Sequence, residues 1–274
     1  MGSADLRAIS ESFRNTPPMP VLFIGHGNPM NAITVNQFSS GWKAVGKSLP
    51  VPSAIFCISA HWETNGVYIT AMEKPRTIHD FGGFPPELYQ VEYPAPGSPE
   101  LAMMAQQTLM PTEVGLDQRW GLDHGCWSVL RHLVPDANIP VVQMSLDHAK
   151  SPSEHFALAS ELSELRTKGV LIVASGNMVH NLRLLDWEAT AGADWALAAN
   201  EKIKMLIAQG DNRALTHYQT LGPEVQRGIP TPEHYLPMLY ALALREEKSK
   251  VALFNDAMDL GSLSMTSFRI DNDE

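Results

Sequence analysis

Short apolar runs, each the length of one β-strand, recur along the 274-residue chain and constrain its fold more than any other feature. Glycine, proline or polar turn residues bound each run, and almost every residue within a run is apolar. This pattern predicts strands that are covered on both faces. The predicted strands cover residues 21–24, 54–59, 67–72, 141–146 and 170–174, with a late strand within residues 262–270.

Helical patterns lie between these strands. The clearest begins at Ser151, where the sequence Ser-Pro-Ser-Glu predicts a capping box with proline at the first helical position. Further helices are predicted over residues 194–209 and from about Pro232 onwards. Alternating strands and helices predict an α/β protein, a single-domain three-layer α/β/α sandwich with a mostly parallel or mixed central sheet.

Repeats and long linkers are absent from the sequence, which predicts one domain over residues 19–274. Residues 1–18 are polar, and we expect a loosely ordered N-terminal arm there. The two cysteines, Cys57 and Cys126, lie in apolar surroundings and are interpreted as reduced thiols of the core.

Charge and hydropathy limit the partners and the compartment. Twenty basic and 30 acidic residues give a net charge of −10, which disfavours binding to nucleic acid or to anionic membranes. No apolar run approaches the roughly 20 residues of a membrane span, and the N-terminus lacks the apolar core of a secretory signal. We therefore expect a cytoplasmic protein.

Three of the ten histidines follow predicted strands. His26 and His61 come directly after the first two, and His180 lies shortly after the run 170–174. Sheets of this class bind ligands at the carboxyl ends of their strands, and neutral imidazole is a common ligand of transition metals. A single histidine of this kind is more often a polar turn residue, but three at equivalent positions predict a metal site.

Other histidines have less decisive surroundings. His124 and His234 open predicted helices, where a capping or solvent-facing role has even odds for each taken singly. His79 lies in a glycine-rich aromatic loop that could cover a flat substrate. Surface or capping roles are expected for the remaining four, which are His132, His148, His155 and His217. The sequence contains no phosphate loop, GxGxxG, HExxH or paired CxxC motif.

Seven motifs in order resemble those of the class III extradiol ring-cleaving dioxygenases of the LigB type, and within them the 4,5-DOPA dioxygenase group. The motifs are GHGNPMN at 25–31, SAHW at 59–62, TIHDFGGFP at 77–85, YPAPGSP at 93–99, WGLDHGCW at 120–127, ASGNMVHN at 174–181 and PTPEHYLP at 230–237. One such motif would be weak, whereas seven in order over nearly the whole chain are highly specific.

The resemblance implies the chemistry and the residues that perform it. It implies a mononuclear non-haem Fe(II) site that opens a DOPA-like catechol with O2, giving a seco-DOPA or muconic semialdehyde-type product. His26, His61 and His234 would hold the metal, His180 would be the catalytic acid/base, and His124 would face the oxygen. His79 and Tyr235 are candidates for the substrate wall.

Alternatives remain at this stage. Glu233 could replace His234 and restore the two-histidine, one-carboxylate triad of many ferrous enzymes, and His180 could also reach the metal. Three histidines and a water also describe a catalytic zinc site, so Zn(II) is plausible as the bound ion and a zinc hydrolase is an alternative function. A non-catalytic metal-binding protein is a further alternative. The expected assembly is a monomer or a small homo-oligomer.

Overall fold

A computed structural model describes residue 13 and residues 15–272. Eight strands form one sheet in the spatial order β4-β3-β5-β2-β6-β1-β10-β7, and β8 pairs with β9 outside it. The strands are β1 (Val21–Gly25), β2 (Ala54–Thr64), β3 (Val67–Thr70), β4 (Val114–Asp117), β5 (Val141–Asp147), β6 (Val170–Gly176), β7 (Lys250–Phe254), β8 (Met258–Asp259), β9 (Leu263–Ser264) and β10 (Ser267–Asp271).

The middle of the sheet is parallel and its flanks are mixed. Strands β5, β2, β6 and β1 pair in parallel, whereas β10 is antiparallel to both β1 and β7. Strand β2 continues beyond its predicted end to Thr64, and its register against β5 shifts between Ile58 and Glu63. The predicted mixed sheet is therefore confirmed, with antiparallel pairing contributed by the late strand and by β3 against β5.

Helices cover both faces of the sheet. They are α1 (Gln37–Ser48), α2 (Pro99–Thr108), α3 (His124–Leu133), α4 (Pro152–Ser160), α5 (Ser163–Arg166), α6 (Asp194–Gln209), α7 (Asn212–Thr216), α8 (Pro223–Gly228) and α9 (Leu236–Ala243). Short 3-10 helices lie at Pro29–Ala32, Leu88–Gln90, Leu182–Leu184 and Tyr218–Thr220.

Alternation of side chains along each strand produces two separate cores. In β1, Val21 and Phe23 pack with helices α4, α6 and α9 on one face. Leu22 and Ile24 pack with α1 and α3 on the other face. Because successive strand residues point to opposite faces, a fully apolar strand is what a three-layer sandwich requires. The predicted α/β/α architecture is confirmed.

Capping residues set several helix boundaries. Ser151 caps α4 with the predicted capping box, and α6 has the predicted bounds. Helix α9 begins at Leu236, later than the predicted start near Pro232, because the residues before it form a turn.

The prediction of a surface or capping role for His155 is wrong: its imidazole is fully buried between the Tyr240 hydroxyl and the Asp147 carbonyl.

Most of the predicted N-terminal arm, residues 1–18, lies outside the described residues. Within them, Thr16 N donates to Thr167 O at 2.8 Å, which ties the end of this segment to the domain. No helix in the described part of the chain combines the length and the apolar character needed to cross a bilayer. Cys57 and Cys126 are both buried free thiols, as predicted.

Candidate metal centre

Three neighbouring parallel strands bring histidines to one edge of the sheet. His26 follows β1, and its backbone N–H donates to Gly176 O at the end of β6 over 3.1 Å. Gly27 has a φ of +59°, a left-handed conformation that lets the chain turn sharply directly after His26. His61 lies inside β2, where the register against β5 shifts. His180 follows β6 and forms an isolated bridge with Leu263.

Two further histidines reach the same edge from helix ends. His124 is the first residue of α3, whose N-terminus is capped by the buried carboxylate of Asp123. His234 lies in the turn before α9, and its carbonyl oxygen accepts a hydrogen bond from Asn177 N at 2.7 Å. A Cβ at Gly176 would clash with this carbonyl, so the close approach of the turn to β6 requires glycine there.

One cavity of about 320 Å³ is lined by all five of these histidines. The ring centroids of His61 and His124 are 3.9 Å apart, and those of His26 and His61 are 5.0 Å apart. His234 lies 5.3 Å from His26 and 5.0 Å from His61 by the same measure. The structure therefore brings together every histidine for which the sequence suggests a metal-binding or catalytic role.

A serine determines which nitrogen of His26 carries its proton. Ser175 Oγ donates to Gly125 O at 2.5 Å and lies 3.0 Å from His26 Nδ1. Since the only hydroxyl proton is used in the first contact, Ser175 must accept from the Nδ1–H of His26. The other ring nitrogen, Nε2, then keeps its lone pair and faces the cavity side of the ring.

One carboxylate contacts two histidines in the same way. Asp80 Oδ2 lies 3.2 Å from His61 Nδ1 and 3.0 Å from His124 Nδ1, and Asp80 Oδ1 accepts from His124 N at 2.8 Å. Burial alone would raise the pKa of Asp80, but its contacts with His124 and His61 lower that pKa well below the ordinary value. An ionised carboxylate only accepts hydrogen bonds, so it favours protonated Nδ1 atoms and leaves the Nε2 atoms free.

The third cluster pairs His234 with a glutamate and a second imidazole. Glu233 Oε1 lies 3.1 Å from His234 Nδ1 and accepts from Thr231 Oγ1 at 2.9 Å. The ring of His180 stacks on that of His234 with a centroid distance of 3.4 Å and an interplanar angle of 5°. Thus Glu233 contacts the outer nitrogen of His234, and His180 covers one face of its ring.

Burial controls the ionisation of the site. It lowers the pKa values of His26 and His234 well below the ordinary value, and neighbouring imidazoles lower them further. Burial also lowers the pKa of His180 to about 4. Burial alone would lower the pKa of His61 too, but Asp80 and nearby carboxylates raise it above its ordinary value. Most of the cluster is therefore neutral near pH 7, the state in which imidazole binds metals.

The donor set fits a metal ion. The Nε2 atoms of His26 and His61 lie only 3.1 Å apart while their Nδ1 atoms face acceptors. A metal ion can bridge two nitrogen atoms at this distance, as can one proton in an N–H···N hydrogen bond. Ligand atoms within 4.8 Å of one another form two neighbouring sets, one of His26, His61 and His124 and the other of His180, Glu233 and His234.

The structure does not bring the two predicted substrate-wall residues to the cavity. His79 Nε2 lies 2.9 Å from Val91 O, and His79 packs behind Phe81. Tyr235 is fully buried and donates to Leu215 O at 3.0 Å. Apolar side chains that the sequence reasoning missed line the cavity instead, namely Phe81, Phe84, Leu182, Leu185, Trp187, Leu260 and Leu263.

Comparison with known proteins identifies the class to which this fold and this histidine cluster belong. Residues 18–260 match the family described as the catalytic LigB subunit of aromatic ring-opening dioxygenase. The chain therefore belongs to this family of ring-opening dioxygenases, enzymes that act on a small aromatic molecule and O2.

Relatives narrow the comparison to one group within the family. The chain is 44% identical over 268 residues to the 4,5-DOPA dioxygenase extradiol of Escherichia coli K12, covering 96% of this chain and 98% of the relative. It is 36% identical over 276 residues to the Beta vulgaris protein of the same name, with 98% of each covered. The crystal structure of an uncharacterized Escherichia coli K12 protein matches with a TM-score of 0.81 at 40% identity, covering 92% of this chain and 100% of that one. The predicted resemblance and the expectation of an enzyme are confirmed.

Proposed function

We propose that the protein cleaves the ring of a DOPA-like catechol in the extradiol position at a mononuclear Fe(II) site held by His26, His61 and His234. The observation that carries this proposal is the common arrangement of these three side chains. Each has an oxygen atom 3.0–3.2 Å from its Nδ1, which leaves Nε2 available to a metal. His124 has the same kind of contact with Asp80, and the choice of His234 over His124 follows the resemblance to the family.

Glu233 supports His234 in this proposal and does not replace it. Its Oε1 atom already lies against His234 Nδ1 and accepts from Thr231, and His234 lines the cavity. The site then has three neutral ligands, with carboxylates behind His61 and His234. This assignment predicts that His234→Ala weakens metal binding more than His124→Ala does.

Bound Fe(II) would supply the positive charge that favours a catecholate and a path by which electrons of the ring reach O2. His180 would accept a phenolic proton at its ring nitrogen and later return it, since burial keeps this imidazole neutral. His124, whose Nδ1 faces Asp80, would present its Nε2 atom to the oxygen side of the substrate. The apolar walls would exclude water and hold the ring flat.

The overall reaction balances without a further reductant. The carbon–carbon bond next to the diol breaks, both atoms of O2 enter the product, and the ring carbons supply the four electrons that O2 accepts. The product is a muconic semialdehyde, which for DOPA is seco-DOPA. The names of the relatives favour this reaction over a zinc hydrolase.

Zn(II) is the ion that we expect to compete for the site. Nitrogen ligands bind Zn(II) more tightly than Fe(II), so protein purified in air could carry zinc while the active enzyme requires iron. Comparison of the two loaded forms therefore belongs in any assay.

The test is anaerobic reconstitution with Fe(II), followed by addition of L-DOPA and air while O2 uptake and absorbance are recorded. We expect iron-dependent O2 consumption and a yellow ring-opened product, and neither with Zn(II)-loaded protein. Absence of O2 uptake with DOPA and with unsubstituted catechol would contradict the proposal.

We also propose a cytoplasmic protein that acts alone or as a small homo-oligomer, without nucleic acid or membrane partners. The net charge of −10 supports the lack of affinity for polyanions. Sedimentation at two salt concentrations, with and without DNA, tests the oligomeric state and the lack of DNA binding.

A further inference from the structure

Apolar side chains from two segments of the chain line the cavity, and we call the exposed part of this lining its mouth. Phe81 and Phe84 come from the glycine-containing loop after β3, and Leu182, Leu185 and Trp187 come from the segment after β6. Trp187 is 67% exposed and Leu182 is 59% exposed. Large apolar side chains that remain exposed around a cavity are typical of a surface that a ligand covers.

The second wall is fixed to the rest of the site. Asp186 N donates to Leu260 O at 3.1 Å, which connects the segment of Trp187 to another residue that lines the cavity. Leu260 has a φ of +47°, a conformation that L-residues rarely adopt. The cavity wall therefore includes a residue with an uncommon backbone conformation, held by its contact with the segment of Trp187.

The charges of the residues around the mouth indicate which substituents on a catechol ring can bind there. Among the described residues that line the cavity, none is a lysine or an arginine. The carboxylates at or beside it, Asp80 and Glu233, are turned to histidines. A carboxylate on the substituent would thus lose water without gaining a basic side chain as a partner, which weakens its binding.

We propose that the preferred substrates of this site are catechols with an uncharged apolar substituent, held between the loop of Phe81 and Phe84 and the segment of Leu185 and Trp187. The inference rests on the proposed catechol cleavage and adds to it the substrate class. Catechols with a carboxylate on the substituent are then poor ligands, and DOPA is bound chiefly through its ring.

The size of the effect follows from the apolar area that the mouth covers. Each buried methylene strengthens binding by about fourfold, which corresponds to about 0.8 kcal/mol. Dissociation constants should therefore fall about fourfold per carbon from catechol through 4-methylcatechol and 4-ethylcatechol to 4-propylcatechol.

The experiment measures binding without turnover. Zn(II)-loaded protein is titrated calorimetrically with the alkylcatechol series and with three ligands of similar shape: 4-(3-methylbutyl)catechol, 3-(3,4-dihydroxyphenyl)propionate and the corresponding propionamide. We expect the propionate to bind at least tenfold more weakly than the 3-methylbutyl compound, with the amide between them. With the Fe(II) form in air, kcat/KM should follow the same order.

Two neighbouring leucines provide a matched pair of variants. Leu185 lines the cavity, whereas Leu184 is 37% exposed and is not among the lining residues. Leu185→Ala should reduce the gain per carbon to about twofold or less, and Leu184→Ala should leave the series as in the wild type. Equal effects of both variants would overturn the proposed wall.

The outcomes separate this inference from the reaction on which it depends. Two results would refute the apolar substrate class alone while unsubstituted catechol is still bound and cleaved. One is that longer alkyl groups bring no gain in affinity, and the other is that the propionate binds as tightly as the 3-methylbutyl compound. If no catechol binds or is cleaved at all, the proposed function fails and this inference fails with it.

Discussion

Replacement of Asp80 by asparagine tests whether the carboxylate controls the protonation of the histidines that we propose as metal ligands. One oxygen of Asp80 faces both His61 Nδ1 and His124 Nδ1, at 3.2 and 3.0 Å. In Asp80→Asn the amide oxygen can still accept from His124 N, which leaves the amide nitrogen, a donor, facing the two rings. His61 then favours the tautomer with hydrogen on Nε2, which cannot bind a metal.

The expected loss follows from the number of ligands that change. Of the three proposed ligands, only His61 loses its acceptor, because His26 keeps Ser175 and His234 keeps Glu233. Loss of one such outer contact weakens metal affinity by about 10- to 100-fold, or about 1.4 to 2.7 kcal/mol. Competition with a chromophoric chelator for Zn(II) measures this change in air-stable samples.

A matched variant gives the control. Asp136→Asn removes one negative charge, as Asp80→Asn does. Asp136 is exposed and lies after α3, away from the histidine cluster. We expect its Zn(II) affinity to equal that of the wild type. A Zn(II) affinity of Asp80→Asn within twofold of the wild type would refute the tautomer argument.

Three further predictions concern catalysis, packing and acid stability. His180→Ala should keep its metal but lose about 10²- to 10⁴-fold in kcat, measured by O2 uptake; loss of the metal itself would make His180 a ligand. Gly176→Ala should lower the free energy of unfolding in urea by about 1–3 kcal/mol, because the added Cβ clashes with His234 O. An unchanged urea midpoint would contradict that close approach. Burial lowers the pKa of His155 from 6.5 to about 4 in the folded protein. As the pH falls, this imidazole is therefore protonated in the unfolded chain before it is protonated in the folded one. The contribution of this group to the free energy of unfolding is complete above pH 6.5 and decreases by about 3 kcal/mol between pH 6.5 and 4. His155→Gln should remove this decrease. Equal dependence of the free energy of unfolding on pH in both proteins would disprove this.

The strands and the histidine cluster were predictable because their signals are local. A strand buried on both faces needs a continuous apolar run, and the histidines at the ends of such runs must meet at one edge of a parallel sheet. The antiparallel late strand and the extension of β2 past His61 were less accessible, since strand pairing depends on contacts between distant residues.

The walls of the cavity could not be predicted in the same way. In the loop TIHDFGGFP the sequence reasoning selected His79, whereas the structure turns His79 towards Val91 O and brings its neighbours Asp80 and Phe81 to the cavity. Loop side chains follow no fixed period, so adjacent residues cannot be assigned to the inside or the outside from sequence. The sequence likewise shows Ser175 only as part of a motif. Its role as the acceptor for His26 depends on the Gly125 carbonyl, to which the Ser175 hydroxyl donates its hydrogen bond.

Of the proposed ligands, His26 follows β1, His61 lies in β2 and His234 lies in the turn before α9, so they are far apart along the chain and meet only in the folded domain. A metal bound by these residues would bind only the folded domain and would therefore stabilise it. By mass action, a free metal concentration 100 times the dissociation constant raises the free energy of unfolding by about 2.7 kcal/mol. A cell that runs short of this metal would therefore hold a protein that is easier to unfold and degrade, so that the supply of metal sets the abundance of the enzyme as well as its rate.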